Sequence, residues 1–175
     1  MKTLFVTSTY LKGDRGVIYA SRTHINLFAE LSEEFTLIYP YKIGMEPEGI
    51  NTKNINFIPF EDLRSKPKKI IDFLFGNKSR YVGRMQNFIN PQKYDVVVFD
   101  DSVPSSRIIK LFVNAGIKAI TIHHNYEIEF IKGDSNLLLK YPDLFWTYFQ
   151  EKNAVTKSYL NLSLTKQDAF LLKKH

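Results

Sequence analysis

Apolar residues along this chain follow two spacings that alternate from one end to the other. Short runs of continuous or alternating apolar and β-branched residues predict strands at residues 4–8, 35–39, 56–60, 94–99, 118–123 and 159–164. Between them, apolar residues recur every three or four positions, which predicts helices at residues 17–33, 104–114 and 137–157, after Thr165, and twice between residues 63 and 93. Strands that alternate with helices favour an α/β fold, a Rossmann-like doubly wound, mainly parallel sheet with helices on both faces.

Proline and glycine mark where these helices are expected to begin and end. Pro104 is expected to start a helix that Gly116 caps, and Pro91 to end the second helix of the 63–93 region. The two helices of that region are expected to be separated near residues 75–78. Pro142 is a candidate break in the long helix at 137–157.

Size and composition fit one domain over residues 1–175. Hydrophobic residues make up 44% of the 175 positions and aromatic residues 14%, which excludes general disorder. There is no cysteine, so disulfides, thiolate metal sites and a cysteine nucleophile are excluded. No apolar run approaches the ~20 residues of a spanning helix, and the run at residues 4–6 is too short for a signal peptide. We therefore expect a cytoplasmic protein.

A cluster of polar residues follows the predicted strand at 118–123. The sequence there is A-I-T-I-H-H-N-Y-E-I-E-F, and it delivers His123, His124, Asn125 and Glu127 to the carboxyl end of a strand. Ligands bind at that edge of parallel sheets, so this segment is a candidate binding or catalytic lip. The alternative is that one histidine packs under a loop and the rest form a solvated turn. A shared metal is not expected, since adjacent strand residues point to opposite faces.

Two further segments lie at the carboxyl ends of predicted strands. Asp100, Asp101 and Ser102 follow the strand at 94–99; they either line a binding cleft or cap the helix at Pro104. The loop after the first strand contains Gly13, Arg15 and Gly16, and its backbone N–H groups could surround a phosphate at the helix start. The loop is neither G-x-G-x-x-G nor Walker A, which disfavours a dehydrogenase and excludes a P-loop.

Basic and bulky apolar residues are interleaved between Leu63 and Lys93, where Asp72 is the only acidic residue. Such helices can lie on an anionic membrane, contact nucleic acid, or simply present a solvated basic face over a core-facing apolar one. The candidate membrane-facing residues are Arg64, Lys66, Lys68, Lys69, Lys78, Arg80 and Arg84. Nucleic acid is the least favoured of the three.

The order and spacing of these segments resemble the N-terminal half of a GT-B glycosyltransferase, in particular the family 4-like group that builds bacterial capsules and cell-surface polysaccharides. The matching segments are the first strand with its glycine-bearing loop, L-F-A-E-L at 27–31, Y-D-V-V at 94–97 and H-N-Y-E-I-E-F at 124–130. After these come Glu151 and Ala154, the strand at 160–164, and Thr165, Asp168 and Leu172.

The resemblance implies a function and assigns the two substrates to two domains. The domain would bind mainly the acceptor, glycan or lipid-linked, while a C-terminal domain absent from this chain would bind the nucleotide-sugar donor. Transfer would retain the anomeric configuration, and the isolated chain would be inactive. No metal or other cofactor is expected, because the nucleotide sugar is a substrate.

The resemblance also implies roles for individual residues. The catalytic histidine is His124 if the family motif is aligned on the neighbouring Asn125, or His123 if it is aligned on T-x-H. Gly16 and its neighbours approach the donor diphosphate, while Asp100, Asp101, Ser102, Asn125 and Glu127 line the acceptor side. A membrane-held acceptor would place the basic region on the inner face of the plasma membrane.

Two other functions remain open from the residues alone. One is a non-catalytic Rossmann- or flavodoxin-like module that binds a small ligand in the same crevice. The other is a hydrolase that uses histidine and aspartate, which the lack of a G-x-S-x-G elbow disfavours.

Overall fold

Six parallel strands form the central sheet of this protein. The computed structural model describes residues 1–51, 53–76, 82, 84–87, 89–132 and 137–175. The strands are β1 (Lys2–Thr7), β2 (Glu34–Pro40), β3 (Ile55–Phe60), β4 (Val96–Asp100), β5 (Lys118–His123) and β6 (Leu160–Ser163). Their order is β3-β2-β1-β4-β5-β6, and each neighbouring pair is parallel. The chain changes direction across the sheet between β1 and β4, where such folds open a crevice at the carboxyl ends of the strands.

Helices connect the strands. In the described ranges they are α1 (Gly16–Glu30), α2 (Lys66–Leu74), α3 (Ser102–Ser105), α4 (Ile109–Asn114), α5 (Glu127–Lys132), α6 (Leu137–Lys157) and α7 (Lys166–Leu172). Short 3₁₀ turns lie at Arg84–Asn87 and Pro91–Lys93. None of the helices in the described part of the chain combines the length and the apolar character needed to cross a membrane.

Both faces of the sheet are buried because side chains alternate along each strand. Leu4 and Val6 on β1 belong to one apolar cluster, while Phe5 belongs to the cluster on the other face. Phe5 lies in register with Leu37 on β2 and with Val98 on β4, and all three side chains are fully buried. The apolar runs seen in the sequence are therefore those of a sheet covered on both sides. The predicted fold class is confirmed.

The helix predicted at 104–114 is wrong in its extent. The structure has two short helices there, and the first begins at Ser102 rather than at Pro104. The hydroxyl of Ser105 donates to the Ser102 carbonyl at 2.7 Å, and that of Ser106 to the Val103 carbonyl at 2.9 Å. Hydroxyls that bond nearby carbonyls compete with the backbone ladder, which explains the break. Gly116 follows the second helix with φ +77, as a helix-ending glycine does.

Other helix predictions also changed in detail. α6 runs unbroken through Pro142, because its buried positions Thr147, Glu151 and Ala154 hold the helix against the rest of the domain. α5 was not predicted. Pro91 opens a 3₁₀ turn instead of ending a helix. The second helix expected in the basic region falls partly on residues outside the described ones, whereas α2 ends at Leu74 near the expected break.

Candidate functional site

The carboxylate of Asp100 lies at the centre of the polar edge of the sheet. Asp100 is the last residue of β4 and its side chain is fully buried. The hydroxyl of Thr7, its register partner at the end of β1, donates to Oδ2 at 3.0 Å. The carboxylate is therefore fixed at the point where the chain direction changes across the sheet.

Two imidazoles share the other oxygen of this carboxylate. Nε2 of His124 lies 2.9 Å from Asp100 Oδ1, and Nδ1 of His24 lies 3.2 Å from the same atom. The two ring centroids are 5.6 Å apart. His124 comes from the loop after β5, whereas His24 comes from the middle of α1. One buried oxygen thus orients two rings from separate parts of the chain.

The charges at this site stabilise one another. Burial would raise the pKa of Asp100, but hydrogen bonds from His124 and His24 outweigh it and the pKa is lowered. Burial would lower the pKa of His124, but the hydrogen bond to Asp100 and its charge outweigh it and the pKa is raised. The next residue, Asp101, accepts a hydrogen bond from the Ser8 hydroxyl at 3.2 Å, and burial raises its pKa. The site therefore favours a negative Asp100 beside a proton-holding imidazole.

Near Asp100, Nδ1 of His124 and Oγ of Ser102 are among the buried polar atoms that have no hydrogen-bond partner within the described part of the chain. Leaving a buried polar atom unpaired costs about 1–3 kcal/mol.

The structure separates the two tandem histidines. His123 is 1% exposed, and its Nε2 lies 3.0 Å from Oδ1 of Asn161 on β6, away from Asp100. Burial lowers its pKa, although the Asn161 contact opposes the shift. The side chains of His123 and His124 point in opposite directions because side chains alternate at the end of a strand. His124 therefore shares the site with Asp100, and His123 packs within the sheet.

The segment after His124 is held by carboxylates. The N–H of Tyr126 donates to Asp168 at 3.0 Å, and the N–H of Glu127 donates to Oε1 of Glu151 at 3.2 Å. Asn125 is exposed and Glu127 is half-buried. Asn125 thus faces solvent from a backbone that α6 and α7 fix in place.

The glycine loop lies on the same edge but farther out. Gly13 has φ +104, which requires glycine, and Arg15 precedes Gly16, the first residue of α1. Gly16 precedes His24 by eight positions, which corresponds to about 12 Å along a helix axis. The loop therefore lies roughly two helical turns from the imidazole pair.

The structure corrects one member of the predicted basic face. The guanidinium of Arg64 is only 4% exposed and lies between Asp62 at 2.8 Å and Asp72 at 3.1 Å. Arg64 neutralises the buried carboxylate of Asp72 and the partly buried one of Asp62, so it cannot present its charge to a membrane.

The other basic residues differ in exposure. Lys66 and Arg84 are exposed. Lys68 and Lys69 have side chains 46% exposed and pair with Asp72 at 3.6 Å and Asp62 at 3.1 Å, respectively. Lys78 and Arg80 lie outside the described residues. Among the described residues of the basic region, the unpaired exposed positive charge is consequently smaller than the sequence predicts.

His24 is the site residue that the sequence analysis missed. Its neighbours Ser21 and Ile25 are fully buried on α1, so His24 lies at the border of the buried stripe. The only indication in the sequence that His24 is a site residue is a histidine at the border of a buried helix face. The sequence does not show that its hydrogen-bond partner is Asp100, which is 76 residues away.

The three side chains could also hold a metal. One ligand atom each from His24, Asp100 and His124 lies within 4.8 Å of the others, the one such group found in the described ranges. The atoms that would bind the ion are those that form the two hydrogen bonds to Asp100. An ion would therefore have to displace the shared protons.

The sheet order defines the class of fold, a Rossmann-like α/β domain with a fully parallel sheet. Among solved structures, the chain is similar to Arabidopsis thaliana UGT89C1, a GT-B glycosyltransferase whose crystal structure is complexed with quercetin. The TM-score is 0.51 at 15% identity, over 93% of this chain and 43% of the neighbour. This chain therefore spans less than half of the neighbour's length.

Sequence comparisons add nothing to this similarity. No family model matches the chain, and no curated protein matches it. The predicted GT-B fold is confirmed by structure alone. The finer prediction of a family 4-like capsule enzyme stays a prediction.

Proposed function

We propose that this chain is the acceptor-side domain of a bacterial glycosyltransferase of the family 4-like, capsule-building type. It acts in the transfer of a sugar from a nucleotide-sugar donor to a lipid-linked or polysaccharide acceptor, with retention of configuration. The observation that carries the proposal is the pair of imidazoles, His124 and His24, hydrogen-bonded to one buried oxygen of Asp100 at the ligand-binding edge of a GT-B-like sheet.

The chemistry of the pair suits sugar transfer. A carboxylate behind an imidazole fixes its orientation and stabilises its charged form, and a ring nitrogen that faces away from the carboxylate can donate a hydrogen bond to a sugar oxygen. The side chain of His24 is 18% exposed and that of His124 is 8% exposed. His24 is thus the more accessible ring for an incoming acceptor hydroxyl and its proton, while His124 lies deeper and its Nε2 is held by Asp100.

The donor is held mainly by a second Rossmann-like domain that faces this edge. The amides of the Gly13–Gly16 loop contribute to the donor diphosphate when the two domains close, through backbone dipoles rather than side-chain charge. Transfer needs no metal or other cofactor, because proton and charge handling rest on Asp100 and the imidazoles. By itself the chain does not turn over donor sugar.

The acceptor side contacts the inner face of the plasma membrane. Lys66 begins α2, whose apolar residues Ile70 and Ile71 are 61% and 50% exposed, and Phe75 directly after it is 67% exposed. A helix with exposed basic and apolar residues can lie in an anionic interface without crossing it. This surface would bring the enzyme to a lipid-linked acceptor.

The test is a transfer assay on the full product of the gene that encodes this segment, with labelled nucleotide sugars and membrane-lipid acceptors. We expect transfer by the full product, none by residues 1–175, and losses of about 10²–10⁴-fold in Asp100→Asn and His24→Ala. Purified activity of residues 1–175, or a full product whose transfer ignores Asp100→Asn, would refute the proposal.

A further inference from the structure

The three side chains at the centre of the site, His24, Asp100 and His124, place three metal-binding atoms around one point. Nε2 of His124 and Nδ1 of His24 lie 2.9 Å and 3.2 Å from Oδ1 of Asp100, and the three atoms are no more than 4.8 Å from one another. Tetrahedral Zn²⁺ with bonds of about 2.0 Å keeps its ligand atoms about 3.3 Å apart. Both distances to the carboxylate are therefore close to those of a zinc site, and mainly the two nitrogens have to approach each other.

Two imidazole nitrogens and one carboxylate oxygen form a donor set that selects the kind of ion. Imidazole nitrogen suits Zn²⁺ and its neighbours in the first transition row, whereas Mg²⁺ and Ca²⁺ take oxygen ligands. The chain contains no cysteine, so no thiolate competes for the ion. Zn²⁺ also has no geometric preference of its own, and it therefore tolerates the uneven spacing of the three atoms.

The carboxylate is supported from behind, and the site is accessible from the side of His24. The hydroxyl of Thr7 donates to Oδ2 of Asp100 at 3.0 Å, and outer hydrogen bonds of this kind orient metal ligands. The side chain of Asp100 is 0% exposed and that of His124 is 8% exposed, whereas that of His24 is 18% exposed. An ion can thus enter beside His24, and a water molecule can take the fourth position that three protein ligands leave open.

An ion at this point changes what the two imidazoles can do. Metal ligands must be deprotonated, so the ion takes the place of the protons that join both rings to Asp100. Neither ring can then take up a proton at the nitrogen that binds the ion. Zinc binding and proton handling by the pair are therefore mutually exclusive.

We propose that His24, Asp100 and His124 bind Zn²⁺ and that the zinc-bound protein cannot transfer sugar. The second half of this inference rests on the proposed function, because it takes the imidazole pair as the group that handles the proton. The first half depends on no activity. Zinc acts here as a reversible inhibitor and not as a cofactor.

The test of binding is the titration of residues 1–175 with Co²⁺ and then with Zn²⁺ at pH 8. Four-coordinate Co²⁺ absorbs visible light strongly, and Zn²⁺ removes this absorption when it displaces the cobalt. We expect one ion per chain with a micromolar or lower Kd, and no displacement by millimolar Mg²⁺. His24→Gln and Asp100→Asn should each weaken binding by about 100-fold or more, since even the outer partners of metal ligands contribute about 10–100-fold.

His175→Gln is the matched control, since the ring of His175 packs beside Tyr126 and Tyr148 and does not belong to the three-residue group. Circular dichroism checks that each variant is folded, and His24→Gln alters the most exposed of the three ligands. Binding weaker than micromolar, binding that survives both His24→Gln and Asp100→Asn, an equal loss in His175→Gln, or displacement of Co²⁺ by Mg²⁺ overturns the zinc site.

Transfer by the full product of the gene separates this inference from the proposed function. We expect Zn²⁺ to abolish transfer over the concentrations at which it binds residues 1–175, and EDTA to restore it. If Zn²⁺ binds through these residues but leaves transfer unchanged or raises it, the zinc site stands, whereas the inhibition and the proposed proton handling by the imidazoles fail. If no zinc binds while transfer still depends on Asp100, only the zinc site fails and the proposed function stands.

Discussion

Replacing Glu151 by glutamine is expected to stabilise this protein at neutral pH. Glu151 is fully buried on α6; its Oε1 accepts the Glu127 N–H at 3.2 Å, and its Oε2 lies 3.6 Å from Nε2 of His175. Burial raises its pKa to about 8, against the hydrogen bond from Glu127, and the nearby charges of Glu127, Asp101 and Asp168 add to the rise. The folded protein therefore holds a proton that the unfolded chain loses near the ordinary glutamate pKa of 4.5.

The sign and the size of the effect follow from linkage. Between pH 4.5 and about 8 the folded state binds one more proton than the unfolded state, so the free energy of unfolding falls as pH rises. The slope is about 1.4 kcal/mol per pH unit, which amounts to about 3 kcal/mol by pH 7 as an upper bound. Glutamine keeps the shape and an oxygen for the Glu127 N–H, but it does not titrate. We expect Glu151→Gln to match the parent near pH 4.5 and to exceed its stability increasingly up to pH 8.

Urea unfolding followed by Trp146 fluorescence at pH 5, 6, 7 and 8 measures this difference, since Trp146 is the only tryptophan. Glu30→Gln is the matched control: it makes the same change of side chain at an exposed position of α1, so the stability gain should belong to Glu151→Gln alone. Parallel stability profiles for the parent and Glu151→Gln would show that Glu151 is ionised in the folded state, and the reasoning would fail.

Three further changes test other parts of the structure. Gly76→Ala should lower the free energy of unfolding by about 2–5 kcal/mol, because Gly76 has φ +66 and a Cβ would lie 2.6 Å from Cε3 of Trp146; urea unfolding measures it. Asp100→Asn should remove the part of acid unfolding that comes from Asp100. Because the pKa of Asp100 is lower in the folded protein than its unfolded value near 3.9, the ionised carboxylate stabilises the fold above that pH. This contribution is lost as the pH falls through the folded pKa. The double change Lys66→Glu and Arg84→Glu should weaken co-sedimentation with anionic vesicles at least tenfold, since each basic residue near the surface contributes about 1 kcal/mol, and ~0.5 M salt should release the parent.

Matched variants decide these outcomes. Gly116→Ala shares the left-handed backbone but meets open space, so it should cost only about 1–2 kcal/mol; an equal loss in both glycine variants would rule out the Trp146 clash. Asp95→Asn changes an exposed carboxyl, and an identical acid profile for the two aspartate variants would contradict the role of Asp100. Lys53→Glu with Lys110→Glu alters charge at exposed sites outside the basic region; equal loss of vesicle binding would point to net charge instead.

The sequence was sufficient for the layout of the sheet. Each predicted strand lies within two residues of an observed one, and the strand at Lys118–His123 matches at both ends. The hydroxyl of Thr165 caps the last helix as predicted, by accepting the Asp168 N–H at 3.0 Å. Such features depend on residue spacing and on groups a few positions apart, which are written directly in the chain. The alternation of side chains also explains why His123 and His124 face opposite ways.

Only the tertiary structure decided which groups meet at the site. His24 reaches Asp100 from a helix whose pattern shows burial but not its partner, and Arg64 turns inward because two carboxylates need its charge. These choices are made by contacts between distant segments and by the cost of leaving buried polar groups unpaired, and neither is encoded in local spacing.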